Sequence, residues 1–169
     1  MFFISDTAQF QNLVFQMANT YTQVYIHFVF VVKYRNAVIH SDWKDELHKF
    51  ITRIVQNYGH KVIAINSMPD HVHLFCGTSP DQSFSDLMRV VKSETSKWIN
   101  DKGLTQQTFR WQQGFAAFSY SRSKINVVGN YIANQEKHHA KKSFIEEYKQ
   151  CLKDFHVDYD DRYIFKEPE

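Results

Sequence analysis

The sequence predicts an α+β sandwich, with helices packed on an antiparallel sheet. Three observations carry that reading: a strand-period block near residue 24, two amphipathic helical stretches, and their order, strand-helix-strand-strand-helix-strand. Residues 22–33 alternate. Val24, Ile26, Phe28, Phe30 and Val32 share one face and Gln23, Tyr25, His27 and Lys33 the other, as in a half-buried strand. Ser41 then reads as a helix cap with Asp42 in the first turn. Trp43, Leu47, Phe50, Ile51, Ile54 and Val55 recur at helical spacing, and Asn57-Tyr58-Gly59 ends the helix. Residues 61–66 and 71–77 read as a hairpin around Ser67-Met68-Pro69-Asp70.

A second helix is expected from Ser83, with Asp86 in the capping-box position and Phe84, Leu87, Val91 and Trp98 turned inward. Short strands at 109–111 and 115–120 follow. A third helix is expected from Ser123 to about His138, with an apolar stripe of Ile125, Val128 and Ile132, and a fourth over about 142–153. Gly129 lies inside the third helix, where glycine costs about 1 kcal/mol relative to alanine. Close packing is the expected reason.

At 169 residues, 43% hydrophobic and 16% aromatic, the chain suits one compact domain and excludes a disordered one. The net charge of +2 hides an asymmetry. Residues 154–169 carry −4, whereas residues 17–153 hold 18 basic against 11 acidic side chains. A basic body with an acidic tail suits a polyanion-binding surface, and equally an ordinary solvated one. Two cysteines, Cys76 and Cys151, cannot build a disulfide framework, which points to a reducing compartment. Without a signal peptide or an apolar run of roughly 20 residues, the expected location is cytoplasmic, with no membrane partner. Residues 1–16 join no pattern, and Met17 is the expected natural start.

Two places carry chemistry. His71 and His73 project from one side of their strand while Val72, Leu74 and Cys76 point to the other, so the two imidazoles can hold one divalent ion. Two histidines on a solvated strand face are the ordinary alternative. A cupin-type site is disfavoured, because residues 74–80 offer no carboxylate. On the third helix Tyr131 and Gln135 stand at i and i+4, and His138 continues that face, apart from the apolar stripe. A partly exposed tyrosine at a helix edge is the plain alternative there.

Together these segments resemble the single-domain tyrosine transposases of the insertion-sequence-200/605 type, including their repeat-associated relatives. The matching pieces are Tyr21-Thr22-Gln23-Val24-Tyr25-Ile26-His27, Val31-Val32-Lys33-Tyr34-Arg35, Met68-Pro69-Asp70-His71-Val72-His73-Leu74, Trp111-Gln112-Gln113-Gly114-Phe115 and Tyr131-Ile132-Ala133-Asn134-Gln135. The resemblance divides the chain into an N-terminal extension (1–16), a transposase domain (17–140), and a C-terminal helix with an acidic tail (141–169). It implies a ferredoxin-like sandwich, helices on one face of the sheet, a divalent metal (Mg²⁺ or Mn²⁺), and single-stranded DNA with hairpins as substrate. It also implies His71, His73 and Gln135 as metal ligands, Tyr131 as nucleophile, and a homodimer in which the tyrosine helix can serve the partner's metal site. Some relatives carry an acidic residue just upstream of the histidine pair. Here Ser67 and Met68 stand there, and only Asp70 is nearby.

The chemistry suits those residue types. A tyrosine can hold one DNA end as a 5′-phosphotyrosine, which conserves bond energy for rejoining. An ordinary tyrosine, with a pKa of about 10, needs a metal to withdraw charge from the phosphate. Lys33, Arg35, Arg89, Lys92, Arg110, Arg122 and Lys124 are candidates for phosphate contacts, and Trp111, Phe118 and Tyr120 for base stacking or for core. A domain that only binds single-stranded nucleic acid, and a metal hydrolase that activates water, remain the rival readings.

Overall fold

In a computed structural model of the chain the described residues are 21–36, 38–139, 143–160 and 164, without the side chains of Arg35, His138 and His139. The N-terminal extension, the Met17 start, the His138 side chain and half of the acidic tail lie outside them.

Four strands, β1 (Val24–Val31), β2 (Lys61–Met68), β3 (His71–Thr78) and β4 (Ala116–Tyr120), form one antiparallel sheet in the order β2-β3-β1-β4. Helices α1 (Ser41–Asn57) and α2 (Phe84–Asp101) cover one face. Their apolar stripes meet Ile26, Phe28, Phe30, Val72, Leu74 and Cys76, the even-numbered set of the two central strands. Hydrophobic burial along that stripe is the driving force for docking them. Ser83 caps α2, accepting from the Asp86 amide at 3.1 Å, as the capping-box position predicts. At α1 the expected Ser41 cap is corrected: His40 occupies the cap position without a side-chain bond, and Ser41 is already helical. Gly59, at φ +78°, closes α1 in the left-handed conformation that glycine adopts without a Cβ penalty.

The other face differs from the expectation of a half-buried strand. From Ile26 onward β1 is buried on both faces. Val29, Val31, Phe75 and Phe118 make the second face apolar, and an apolar face needs cover. The expected helices on one face therefore describe α1 and α2 only. The second face is covered by α3 (Ile125–Ala133), α4 (Gln135–His139) and α5 (Phe144–Asp154). Val128 and Ile132 of α3 pack on Phe75, and Phe144 and Leu152 of α5 pack near Val29, Val31 and Phe118.

Three further expectations are revised. The third helix is two pieces, broken at Asn134, whose backbone leaves the helical region. Residues 109–111 form no strand beyond one bridge from Trp111 to Val32. An added Cβ at Gly129 would meet nothing within 4 Å, so close packing is not what glycine serves there.

His48 of α1 is within 2.9 Å of the buried Ser67 hydroxyl through Nε2. Burial, then Lys44, pulls its pKa down to about 4, against a smaller upward pull from Asp45. The unfolded chain takes up this proton near pH 6.5 and the folded one does not. The contribution of His48 is thus full above about pH 6.5 and is lost as pH falls towards 4. Urea midpoints should fall over that range, and His48→Gln should flatten the fall; parallel curves for the two proteins would refute it.

Candidate metal and nucleophile site

The site is built on the sheet face that carries α3 to α5. Antiparallel register sets Val31 opposite His71, Val29 opposite His73 and His27 opposite Phe75. Side chains directly opposite share a face, so His27, His71 and His73 lie together, with His27 and His73 diagonal neighbours. His71 and His73 are 1% and 2% exposed and their rings are 5.0 Å apart. The solvated-strand alternative is therefore excluded for this pair.

Each imidazole is held from behind. His71 Nδ1 lies 2.6 Å from Asp70 Oδ1. An ionised carboxylate only accepts, so in the neutral ring the proton sits on Nδ1 and the lone pair on Nε2. His73 Nδ1 lies 2.9 Å from His27 Nε2, with one proton between them. When His73 is the donor, its Nε2 likewise presents a lone pair. His27 is fully buried, and burial drives its pKa down to about 3, so it is a neutral partner.

From the helical side come Tyr131, Gln135 and Glu147. The Tyr131 hydroxyl donates to Glu147 Oε1, Gln135 Nε2 donates to the same oxygen at 3.1 Å, and that oxygen is 3.7 Å from His73 Nε2. Burial pushes the Glu147 carboxyl up to about 7. Phe144, one turn earlier on α5, lies 4.1 Å from the His71 ring, centroid to centroid. Tyr131, Gln135 and the histidine pair thus meet within one chain, even though the helix between Tyr131 and Gln135 is broken.

A divalent metal fits this donor set. Gln135 is fully buried, and its Oε1 has no hydrogen-bond partner among the described residues. A buried amide oxygen without a partner is costly, and a cation would satisfy it. Among the described residues no three His, Cys, Asp or Glu side chains are gathered tightly enough to hold a metal by themselves. The fit therefore includes the amide.

The proposed phosphate contacts separate into groups. Lys33 and Arg110 meet: the Lys33 amide donates to the Arg110 carbonyl at 2.9 Å, and both residues line a cleft of about 910 Å³ with Tyr34 and His40. None of His71, His73, Tyr131, Gln135 and Glu147 lines that cleft; its link to the histidine strand is a backbone bond from the Val32 amide to the Asp70 carbonyl at 2.8 Å. Arg122 and Lys124 are exposed just before α3. Arg89 pairs with Asp86 on α2, across the sheet from the site. Lys92 is used structurally, donating to the carbonyls of Gln112 and Gly114 at 2.5 and 2.7 Å. The Arg35 side chain lies outside the described residues. Trp111 and Phe118 are core, with Trp111 Nε1 donating to Thr95 Oγ1, and Tyr120 is half-buried against Phe155.

Sequence reasoning did not assign His27, Phe144 or Glu147 to the site. His27 was detectable by its odd-numbered parity with His71 and His73. Glu147 carried no such signal, because beside Glu146 it reads as ordinary charge at a helix start.

A family model described as IS200-like transposase matches residues 20–135. The ISDra2 transposase TnpA of Deinococcus radiodurans is 32% identical over 118 residues, covering 67% of this chain and 84% of that protein. A crystal structure of a Deinococcus radiodurans protein assigned as a transposase superposes with a TM-score of 0.58 at 21% identity, over 72% of this chain and 97% of that one. The structure of a REP-associated tyrosine transposase bound to a REP hairpin superposes with a TM-score of 0.54 at 16% identity, over 74% of each chain.

If the Lys33–Arg110 cleft carries phosphates, affinity for single-stranded DNA should weaken with salt through counterion release. Arg110→Ala should reduce the slope of log affinity against log salt by roughly 0.7, measured by fluorescence anisotropy. An unchanged slope would remove Arg110 from the DNA path.

Proposed function

The chain belongs to the IS200-like transposase family, and from that premise we propose that it cuts and rejoins single-stranded DNA at hairpin-bearing ends through a 5′-phosphotyrosine on Tyr131, with a divalent metal. Transposases of this family are DNA-cleaving and strand-transfer enzymes. The observation that carries the finer reading is the convergence of Tyr131 and Gln135 with His73 on one carboxylate oxygen.

In the proposed reaction the Tyr131 oxygen forms a bond to the scissile phosphorus, the bond from phosphorus to the 3′ oxygen breaks, and the phenolic proton ends on that oxygen as a 3′-hydroxyl. Rejoining reverses the step with another 3′-hydroxyl and needs no external energy. Glu147 holds the Tyr131 hydroxyl in the site. Asp70 and His27 hold the two imidazoles so that Nε2 of each can serve as a ligand. His71, His73 and Gln135 would hold Mg²⁺ or Mn²⁺, which when bound withdraws charge from the phosphate and aligns it. The cleft with Lys33 and Arg110 would receive the DNA backbone.

Tyr131 and the histidine pair lie at one site within one chain, which supports cleavage in cis over a tyrosine helix supplied by a partner subunit. A homodimer remains part of the proposal as a DNA-binding assembly, since two element ends must be held at once.

The decisive assay incubates the full chain with hairpin-bearing single-stranded DNA and Mn²⁺, followed by denaturing electrophoresis. A protein–DNA adduct should form and should disappear in Tyr131→Phe. An adduct that survives that substitution, or free 5′-phosphate ends without any adduct, would overturn the assignment of Tyr131.

A further inference from the structure

Glu147 is the group at this site for which neither the histidine pair nor the tyrosine accounts. It stands in the first turn of α5, whose start is fixed by a capping box between Ser143 and Glu146. Leu152 and Phe144 anchor the helix on the sheet face that carries the histidines. Its carboxylate is only 11% exposed and lies against Tyr131, Gln135 and His73 together.

The Tyr131 hydroxyl and the Gln135 amide both donate to this carboxylate, and a glutamine oxygen of the same shape could accept from both. A carboxylate is the better choice where a cation shares the site. Two neutral imidazoles and an amide leave a divalent charge uncompensated, and nitrogen donors favour softer ions over Mg²⁺ and Mn²⁺. An anionic oxygen corrects both. Asp70, the nearest acid in sequence, is engaged behind His71.

We propose that Glu147 is a further ligand of the divalent cation, so that α5 completes the metal centre with a carboxylate aimed at His73 and Gln135. The inference rests on the metal-dependent reading above. It includes a side-chain adjustment on binding, because the donors are not drawn into a cage without the ion. It also makes α5, which lies beyond the 20–135 stretch that matches the family, a part of the active site.

Titration of the full chain with Mn²⁺, followed by the loss of the free-ion electron paramagnetic resonance signal, tests this without recourse to activity. Glu147→Gln should bind Mn²⁺ at least tenfold more weakly than the wild type, with a smaller loss for Zn²⁺. Its metal-free melting temperature should stay close to that of the wild type, because glutamine keeps the shape and an acceptor for Tyr131 and Gln135, which separates lost ligation from lost folding. A folded Glu147→Gln protein with Mn²⁺ affinity within twofold of the wild type overturns the proposal. His73→Ala distinguishes the two levels: if it too leaves Mn²⁺ affinity unchanged, the histidine site itself is misassigned.

Discussion

The pairing of β1 against β3 is the constraint on which the rest depends. Setting Val29 opposite His73 and Val31 opposite His71 fixes the face on which every reactive group lies. A slip of one residue would turn His27 and the histidine pair to opposite sides of the sheet. It would also turn either Phe28 and Phe30 or Val72 and Leu74 out of the core beneath α1 and α2. The packing of the inert face therefore holds the geometry of the reactive one, and β1 is central, so both of its edges are committed.

On the reactive face, polar groups are taken out of water and then compensated in layers. Asp70 and His27 stand behind the imidazoles, and neither adds a positive charge to the site: one is an acid, the other a histidine that burial keeps neutral. The helices then bring in a phenol, an amide and a carboxyl. Among the described side chains such a cluster is rich in lone pairs. Electrostatics of this kind suits a site that receives positive charge from outside the chain, and it makes α5 more than a cover for apolar strands.

The sheet and the two long helices were legible because their signals are local: alternation in β1, the hairpin around Pro69 and Asp70, and the Ser83–Asp86 cap. The histidine pair was legible for the same reason, since strand parity alone puts two imidazoles on one side. What could not be read was set by docking. Nothing local to β1 says that its second face is also buried, because that depends on where α3 and α5 come to rest. The break at Asn134 has no proline or glycine to announce it. Trp111 and Phe118 are compatible with stacking or core by composition, and only their neighbours Thr95 and Phe155 decide for core. Lys92 shows the same limit for charge, since two loop carbonyls claim an ammonium that sequence alone assigns to solvent or phosphate.

In the proposed function a strand and a broken helix contribute to one metal centre. Anomalous scattering from crystals of the full chain grown with Mn²⁺ tests it most directly. A single strong peak is expected, bonded to His71 Nε2, His73 Nε2 and Gln135 Oε1, with the Tyr131 hydroxyl turned towards it. Manganese bound elsewhere, with those three side chains facing different surroundings, would contradict it.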